Sequence, residues 1–189
     1  MYKMKQEALM EGKIQKAILQ WVGVDSFVLR LLAMACELHN SLDEAHEVFC
    51  CLQNEGYFEL KTAADMPRGQ AAKCYRCVSA EELILARVRL VPKIMVKDKR
   101  LAEYIVRDCI SSLRQAQPSA EVFFEEDNPE IFEGLRATLC ELYRALARAL
   151  QDLPTLGAEL WAHLEQASEE LREEANRQAC KAIIAEYRP

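Results

Sequence analysis

Four side chains of the sequence are of the types that could together make a zinc site, although their spacing is not that of a common zinc motif. Cys74 and Cys77 form a Cys-x-x-Cys pair, and His46 and Cys50 stand four residues apart, which is about one turn of a helix. Thiolates and imidazoles are the ligands that Zn²⁺ prefers, and structural sites take four of them. No glycine follows either cysteine of the pair. Ordinary thiols and a surface histidine are therefore the simpler interpretation, and we expect no metal and no cofactor.

Motifs of the common enzyme classes are absent from the sequence. It holds no Gly-x-Ser-x-Gly, no phosphate loop, no His-Glu-x-x-His and no Gly-x-Gly-x-x-Gly. With only three histidines, the sequence has few of the side chains that most often act as general acids or bases. Adjacent glutamates occur in polar runs that are typical of a solvated surface, at positions 125–126, 169–170 and 173–174. We therefore expect no catalytic residues and no enzymatic activity.

Length and composition favour a mainly helical protein. The chain has 189 residues, of which 51% are hydrophobic and 29% charged, so it can bury a core without metal or disulfides. Six glycines and six prolines are too few for a fold with many tight turns. No run of 18 apolar residues is present, and charges interrupt the first 20 residues. We expect a cytoplasmic protein without a membrane segment, in which the eight scattered cysteines are reduced.

Charge is distributed unevenly along the chain. Residues 1–100 hold 15 Lys and Arg against 13 Asp and Glu, whereas residues 101–189 hold 9 against 17. Eight of the basic residues lie within 73–100. This asymmetry indicates either two functional halves, the first of which meets an anionic partner, or a chance distribution of solvated charge.

The elements expected in the first ninety residues are three helices, two strands and a fourth helix. Apolar spacing predicts helices over 3–22, 27–38 and 42–54. Strand-like segments follow at 57–61 and 73–78, separated by turn residues at 63–70. Ser79 and Glu82 then form a capping box, which opens a helix over 81–91.

This order of elements resembles the winged helix-turn-helix family over about residues 5–90. The segment that carries the resemblance is the third helix with the corner that follows it, SLDEAHEVFCCLQNEGYFEL. The resemblance implies that the third helix enters the major groove of DNA and that the hairpin, or wing, contacts the backbone. On that basis the candidate DNA-binding residues are Lys61, Arg68, Lys73, Arg76, Arg87 and Arg89.

The third helix departs from this family pattern. Its polar face shows Asp43, Glu44, Glu47, Cys51 and Asn54, without any Lys or Arg. Carboxylates facing phosphates are repulsive. Either the wing carries the DNA binding, or the winged helix binds a protein.

The second half of the sequence is expected to be entirely helical. A helix over 99–117 precedes an acidic connector at 121–130, and two long helices joined at Pro154 then suggest an antiparallel hairpin that ends near residue 187. Apolar residues alternate spacings of three and four, as in a heptad seam. The seam is either an intramolecular core or a homodimer interface, whose candidate residues are Phe132, Leu135, Leu139, Leu142 and Leu146.

The expected architecture therefore has two domains. Residues 1–92 form a winged-helix-like domain with one short β-hairpin, and residues 97–189 form an all-α dimerisation or interaction region. The leading hypothesis for function is a DNA-binding regulator that uses a basic wing and dimerises through its C-terminal helices. The alternative is a non-enzymatic adaptor or inhibitor that binds a protein partner.

Overall fold

The protein is mainly helical. A computed structural model describes residues 26–62, 76–115 and 129–189. The helix expected over 3–22, the turn at 63–70, the start of the second strand and most of the acidic connector lie outside the described residues. Within the described part of the chain, no helix is long and apolar enough to cross a membrane.

Two helices and a tight corner make up the first described stretch. Helix α1 spans Ser26–His39 and helix α2 spans Leu42–Asn54. Ser41 caps α2 by accepting a hydrogen bond from the backbone N–H of Asp43 at 3.2 Å. After α2, Gly56 has φ +66°, a left-handed conformation that glycine adopts without strain. The chain turns there into a single 3₁₀ turn over Tyr57–Glu59.

Aromatic contacts hold this corner against the two helices. The ring of Phe58 lies 5.0 Å from that of Phe49 on α2, and the ring of Tyr57 lies 5.8 Å from that of Phe27 on α1. These distances are those of favourable aromatic pairs. The fixed corner leads into strand β1, Leu60–Thr62, which pairs with strand β2, Arg76–Val78.

Three helices follow the strands. Helix α3 spans Ala80–Val88, the short α4 spans Val91–Met95 and α5 spans Lys99–Gln115. The expected capping box is confirmed, because the Ser79 hydroxyl accepts from the Glu82 N–H at 3.1 Å while the Glu82 carboxylate accepts from the Ser79 N–H at 3.0 Å. The Asp98 carboxylate caps α5 by accepting from the Arg100 N–H at 2.7 Å. Helix α3 packs on α5.

The last stretch is an up-down-up arrangement of three helices. Helix α6 spans Pro129–Asp152, α7 spans Gly157–Glu169 and α8 spans Glu174–Tyr187. Ion pairs join Lys181 to Glu169 and Arg188 to Glu165, so α8 runs antiparallel to α7. Helix α6 packs against both α8 and α3.

The expectation of one long helix after Pro154 is wrong, because the chain breaks between α7 and α8. Glutamates at 169, 170, 173 and 174 place like charges four residues apart on a continuous helix, which is unfavourable. Glu173 instead has an extended backbone, with φ −73° and ψ 121°. The Arg177 guanidinium donates to the carbonyl of Arg172 at 2.8 Å and also contacts that of Leu171. These bonds satisfy backbone groups that the break exposes.

The described residues fall into two compact units. One ends at Leu60 and the other runs from Lys61 to Pro189. Helix α3 belongs to the second unit, because Ile84, Leu85 and Val88 are buried where α3 packs on α5 and α6. The division at Leu60 thus lies before the stretch 92–97 that the sequence pattern indicated.

Candidate functional site

The basic residues expected on the wing have different surroundings. Arg68 and Lys73 lie outside the described residues. Lys61 is buried in β1, with 8% of its surface exposed. Arg76 has a side chain that is 72% exposed, and its guanidinium lies 3.4 Å from the Glu82 carboxylate.

The two arginines near the end of α3 are also held by carboxylates of the chain itself. The Arg87 guanidinium lies 3.5 Å from the Asp108 carboxylate on α5, and these side chains are only 12% and 18% exposed. Arg89 pairs with Glu141 on α6. Arg87 therefore joins two packed helices, where a phosphate cannot reach it without breaking a largely buried ion pair.

Helix α2 presents carboxylates to solvent. Ala45, Val48 and Leu52 are buried, whereas Asp43 and Glu47 are exposed and Glu44 is half-buried. We call Asp43, Glu44 and Glu47 the acidic face of α2. Residues 26–60 contain six carboxylate side chains and a single basic residue, Arg30. The formal charge of this stretch, −5, is concentrated in 35 residues.

The zinc candidates come together only in part. His46 Nε2 lies 3.6 Å from Cys50 Sγ on the outer surface of α2. Cys74 and the side chain of Cys77 lie outside the described residues. Among the side chains that the structure describes, no three His, Cys, Asp or Glu form a group that could hold a metal ion.

The heptad seam on α6 is an internal core. Leu139, Leu142 and Leu146 have no exposed surface, and Leu135 is half-buried. The side chain of Phe132 lies outside the described residues. The buried leucines pack where α6 meets α3 and α8 of the same chain. Of the two interpretations, the intramolecular core is the one that the structure shows, so a dimer would need a different surface.

A cationic groove between α5 and α7 was not anticipated. It has a volume of about 500 Å³, and its lining includes Arg107, Ser111 and Arg114 from α5, His163 from α7 and one carboxylate, Glu170, directly after α7. Arg100, Arg107 and Arg114 recur every seven residues, which places them on one face of α5. Arg100 is bound to Asp98 at 3.0 Å. Arg107 and Arg114 are exposed and have no carboxylate partner among the described residues. The seven-residue spacing of these arginines is the sequence signal that could have identified this groove.

Comparison with known proteins identifies no family for this chain. No protein-family model, curated protein or solved structure matches it. The winged-helix resemblance therefore stays a prediction, and function has to be argued from the surfaces described above.

Proposed function

We propose that the chain is a non-enzymatic protein-interaction module whose N-terminal helices bind a basic segment of a partner protein. The observation that carries this proposal is the acidic face of α2. In the winged-helix resemblance, this helix is the one that would meet the partner.

Charge on α2 selects the class of partner. Asp43, Glu44 and Glu47 lie within about 100° of arc, along roughly one turn of helix. Such a concentration of one sign attracts lysine and arginine side chains and repels phosphates. A nucleic acid would have to approach α2 against this field, whereas a basic polypeptide would be drawn to it.

The surroundings of the three candidate DNA-binding arginines that the structure describes support the same choice. Arg76, Arg87 and Arg89 each lie beside a carboxylate of the chain itself. Their charge is thus partly neutralised before any ligand arrives. DNA binding depends on neutralising several phosphates at once, and it weakens as basic groups are lost.

DNA binding is the second candidate function, and the groove between α5 and α7 favours it. Arg107 and Arg114 are two guanidinium groups about 10 Å apart along α5, and neither has an ion-pair partner in the described part of the chain. This spacing would let them contact separate phosphates of a duplex. Two cations supply little affinity at physiological salt, so we rank this function below protein binding.

The acidic face can be tested with a synthetic Lys/Arg-rich peptide and the variant Asp43→Asn, Glu44→Gln, Glu47→Gln. Exposed ion pairs contribute about 0.2–1 kcal/mol each. Removing three carboxylates should therefore weaken peptide binding about tenfold at low salt. Fluorescence anisotropy of a labelled peptide measures the change, and circular dichroism checks that the variant stays folded.

A matched control distinguishes the effect of the acidic face of α2 from the effect of the protein's net charge. Asp152, Glu159 and Glu186 are exposed carboxylates of the C-terminal unit. The variant Asp152→Asn, Glu159→Gln, Glu186→Gln changes the net charge by the same three units, and it should bind the peptide as the wild type does. Equal losses of affinity in the two triple variants would contradict the proposal, as would a wild-type protein that does not bind the peptide.

A further inference from the structure

Helices α6 and α8 lie side by side in parallel. Each residue of α6 lies beside the residue about forty positions later in α8. Arg136 Nε donates to Asn176 Oδ1 at 2.9 Å, and three turns further on Arg148 Nε donates to Tyr187 Oη at 3.1 Å. Cys140 lies one turn after Arg136, and Cys180 lies one turn after Asn176. The register therefore brings the two thiols to the same level of the helix pair.

This register places the Cys180 side chain on α8 next to Cys140 on α6, so the two thiols are neighbours across the interface and influence each other's protonation. Cys140 is half-buried, so a small solute can reach it from solvent. Cys180 is fully buried behind it. Cys140 is thus accessible, and Cys180 lies next to it in the interior. This is the arrangement of an attacking and a resolving cysteine.

The surroundings of Cys140 favour its thiolate. The Cys180 thiol donates a hydrogen bond to Cys140, and the Arg144 and Arg136 guanidiniums lie one turn away on either side. Together they outweigh partial burial and lower the pKa of Cys140 from 9.0 to about 6. Cys109 shows the opposite effect, because full burial raises the pKa of its thiol far above the ordinary value. Cys140 is therefore mostly a thiolate at neutral pH.

Asn176 adds a buried donor beside the pair. Its side chain has no exposed surface, and its Oδ1 accepts from Arg136. Its Nδ2 has no hydrogen-bond partner among the residues that the structure describes. Buried amide groups are normally satisfied, so this donor, one turn from Cys180, is available to an acceptor that approaches the cysteine pair. An oxygen atom on the Cys140 sulfur is such an acceptor.

We propose that Cys140 and Cys180 form a thiol-oxidation site that reacts with hydroperoxides and closes a disulfide between α6 and α8. The Cys140 thiolate attacks one peroxide oxygen, so that the O–O bond breaks, an S–O bond forms and the alkoxide or hydroxide leaves with a proton from solvent. The Cys180 thiol then attacks the sulfenic sulfur. The S–O bond breaks, the S–S bond forms and water leaves. Two electrons pass in total from the thiol pair to the peroxide.

A disulfide has a sulfur–sulfur bond of about 2.05 Å and needs Cα atoms about 4.4–6.8 Å apart. Helices α6 and α8 pack directly on each other, with the two cysteines at the same level. The resulting crosslink fixes α8 to α6 at one level. A reductant reopens it, so the oxidation is reversible.

Mass spectrometry of the intact chain tests the site directly. The protein is treated with one equivalent of hydrogen peroxide, blocked with iodoacetamide and cut with trypsin. Cleavage after Arg136, Arg144, Arg177 and Lys181 releases peptides 137–144 and 178–181. We expect these two peptides as one disulfide-linked species that a reductant separates. Recovery of both as alkylated thiols would overturn the proposal, as would pairing of Cys140 with another cysteine.

Two further measurements check the assigned roles. In Cys180→Ser, the Cys140 sulfenic acid is not resolved, so dimedone should label peptide 137–144 after peroxide. In the wild type, the alkylation rate of Cys140 should rise with a midpoint near pH 6, whereas an ordinary thiol has a midpoint of about 8.5. A midpoint of 8 or above would overturn the assignment of Cys140 as the attacking thiol. As a matched control, Cys36→Ser removes a half-buried thiol of α1 and should leave the linked species unchanged.

Discussion

Replacing Leu139 and Leu146 with aspartate is expected to unfold the C-terminal unit. Both side chains are fully buried. Loss of each leucine costs about 2–5 kcal/mol. A buried carboxyl without partners adds about 1–3 kcal/mol at each position. Two such sites match or exceed the whole stability of a typical domain, which is about 5–15 kcal/mol. The helical circular dichroism signal should fall to that of a largely unfolded chain.

The control for this prediction is Ala137→Asp, an exposed position on the same helix. It should leave the unfolding transition nearly unchanged, because surface substitutions shift stability by about 0.5 kcal/mol or less. The contradicting result has two parts: light scattering shows a dimer for the wild type, and the Leu139→Asp, Leu146→Asp variant is a folded monomer. This result would show that the seam is an interface between copies and would refute its internal packing.

Replacing Asp108 with alanine should destabilise the C-terminal unit by about 3 kcal/mol. The substitution leaves the Arg87 guanidinium without its carboxylate in a position that is only 12% exposed. Breaking a buried pair from one side typically costs 3–5 kcal/mol, and the slight exposure of both groups favours the lower end. Urea unfolding followed by circular dichroism measures the loss.

The double replacement Arg87→Met with Asp108→Leu is the matched control. It removes both charges and restores apolar packing between α3 and α5, so it should recover most of the lost stability. If Asp108→Ala unfolds at the same urea concentration as the wild type, Arg87 is not a structural side chain. It would then return to the set of groups that could bind phosphate.

Local patterns predicted the helix starts well. The capping box at Ser79 and Glu82, which opens α3, depends only on neighbours within four residues. Such short-range chemistry is readable from the chain without knowledge of the tertiary fold. The apolar seam of α6 was also visible, although its partners were not.

The break at 170–173 was hidden by a pattern that continues across it. Leu164, Ala167, Leu171 and Ala175 extend one apolar stripe, yet Ala175 is exposed. The repulsion among the four neighbouring glutamates and the Arg177 contacts decide the outcome. The repulsion among the glutamates can be inferred from the sequence, whereas the Arg177 contacts can be known only from the folded chain.

Long-range pairings could not be predicted. Arg87 looked like a phosphate-binding residue because its partner, Asp108, lies 21 positions away. Cys140 and Cys180 are forty positions apart, and the parallel register of α6 and α8 alone brings them together. No local sequence pattern around Arg87, Cys140 or Cys180 indicates the role that the structure gives it. The acidic face of α2, in contrast, follows directly from helical periodicity and was visible from the start.

The measurement that tests the central claim most directly compares two ligands on the wild-type protein. A labelled Lys/Arg-rich peptide and a labelled generic DNA duplex are titrated by fluorescence anisotropy at two salt concentrations. A protein-interaction module with an acidic face should bind the peptide, bind it more weakly at the higher salt, and leave the duplex unbound at both. Duplex binding that falls steeply with salt, and that is lost in Arg107→Ala, Arg114→Ala, would contradict this account and establish DNA as the partner.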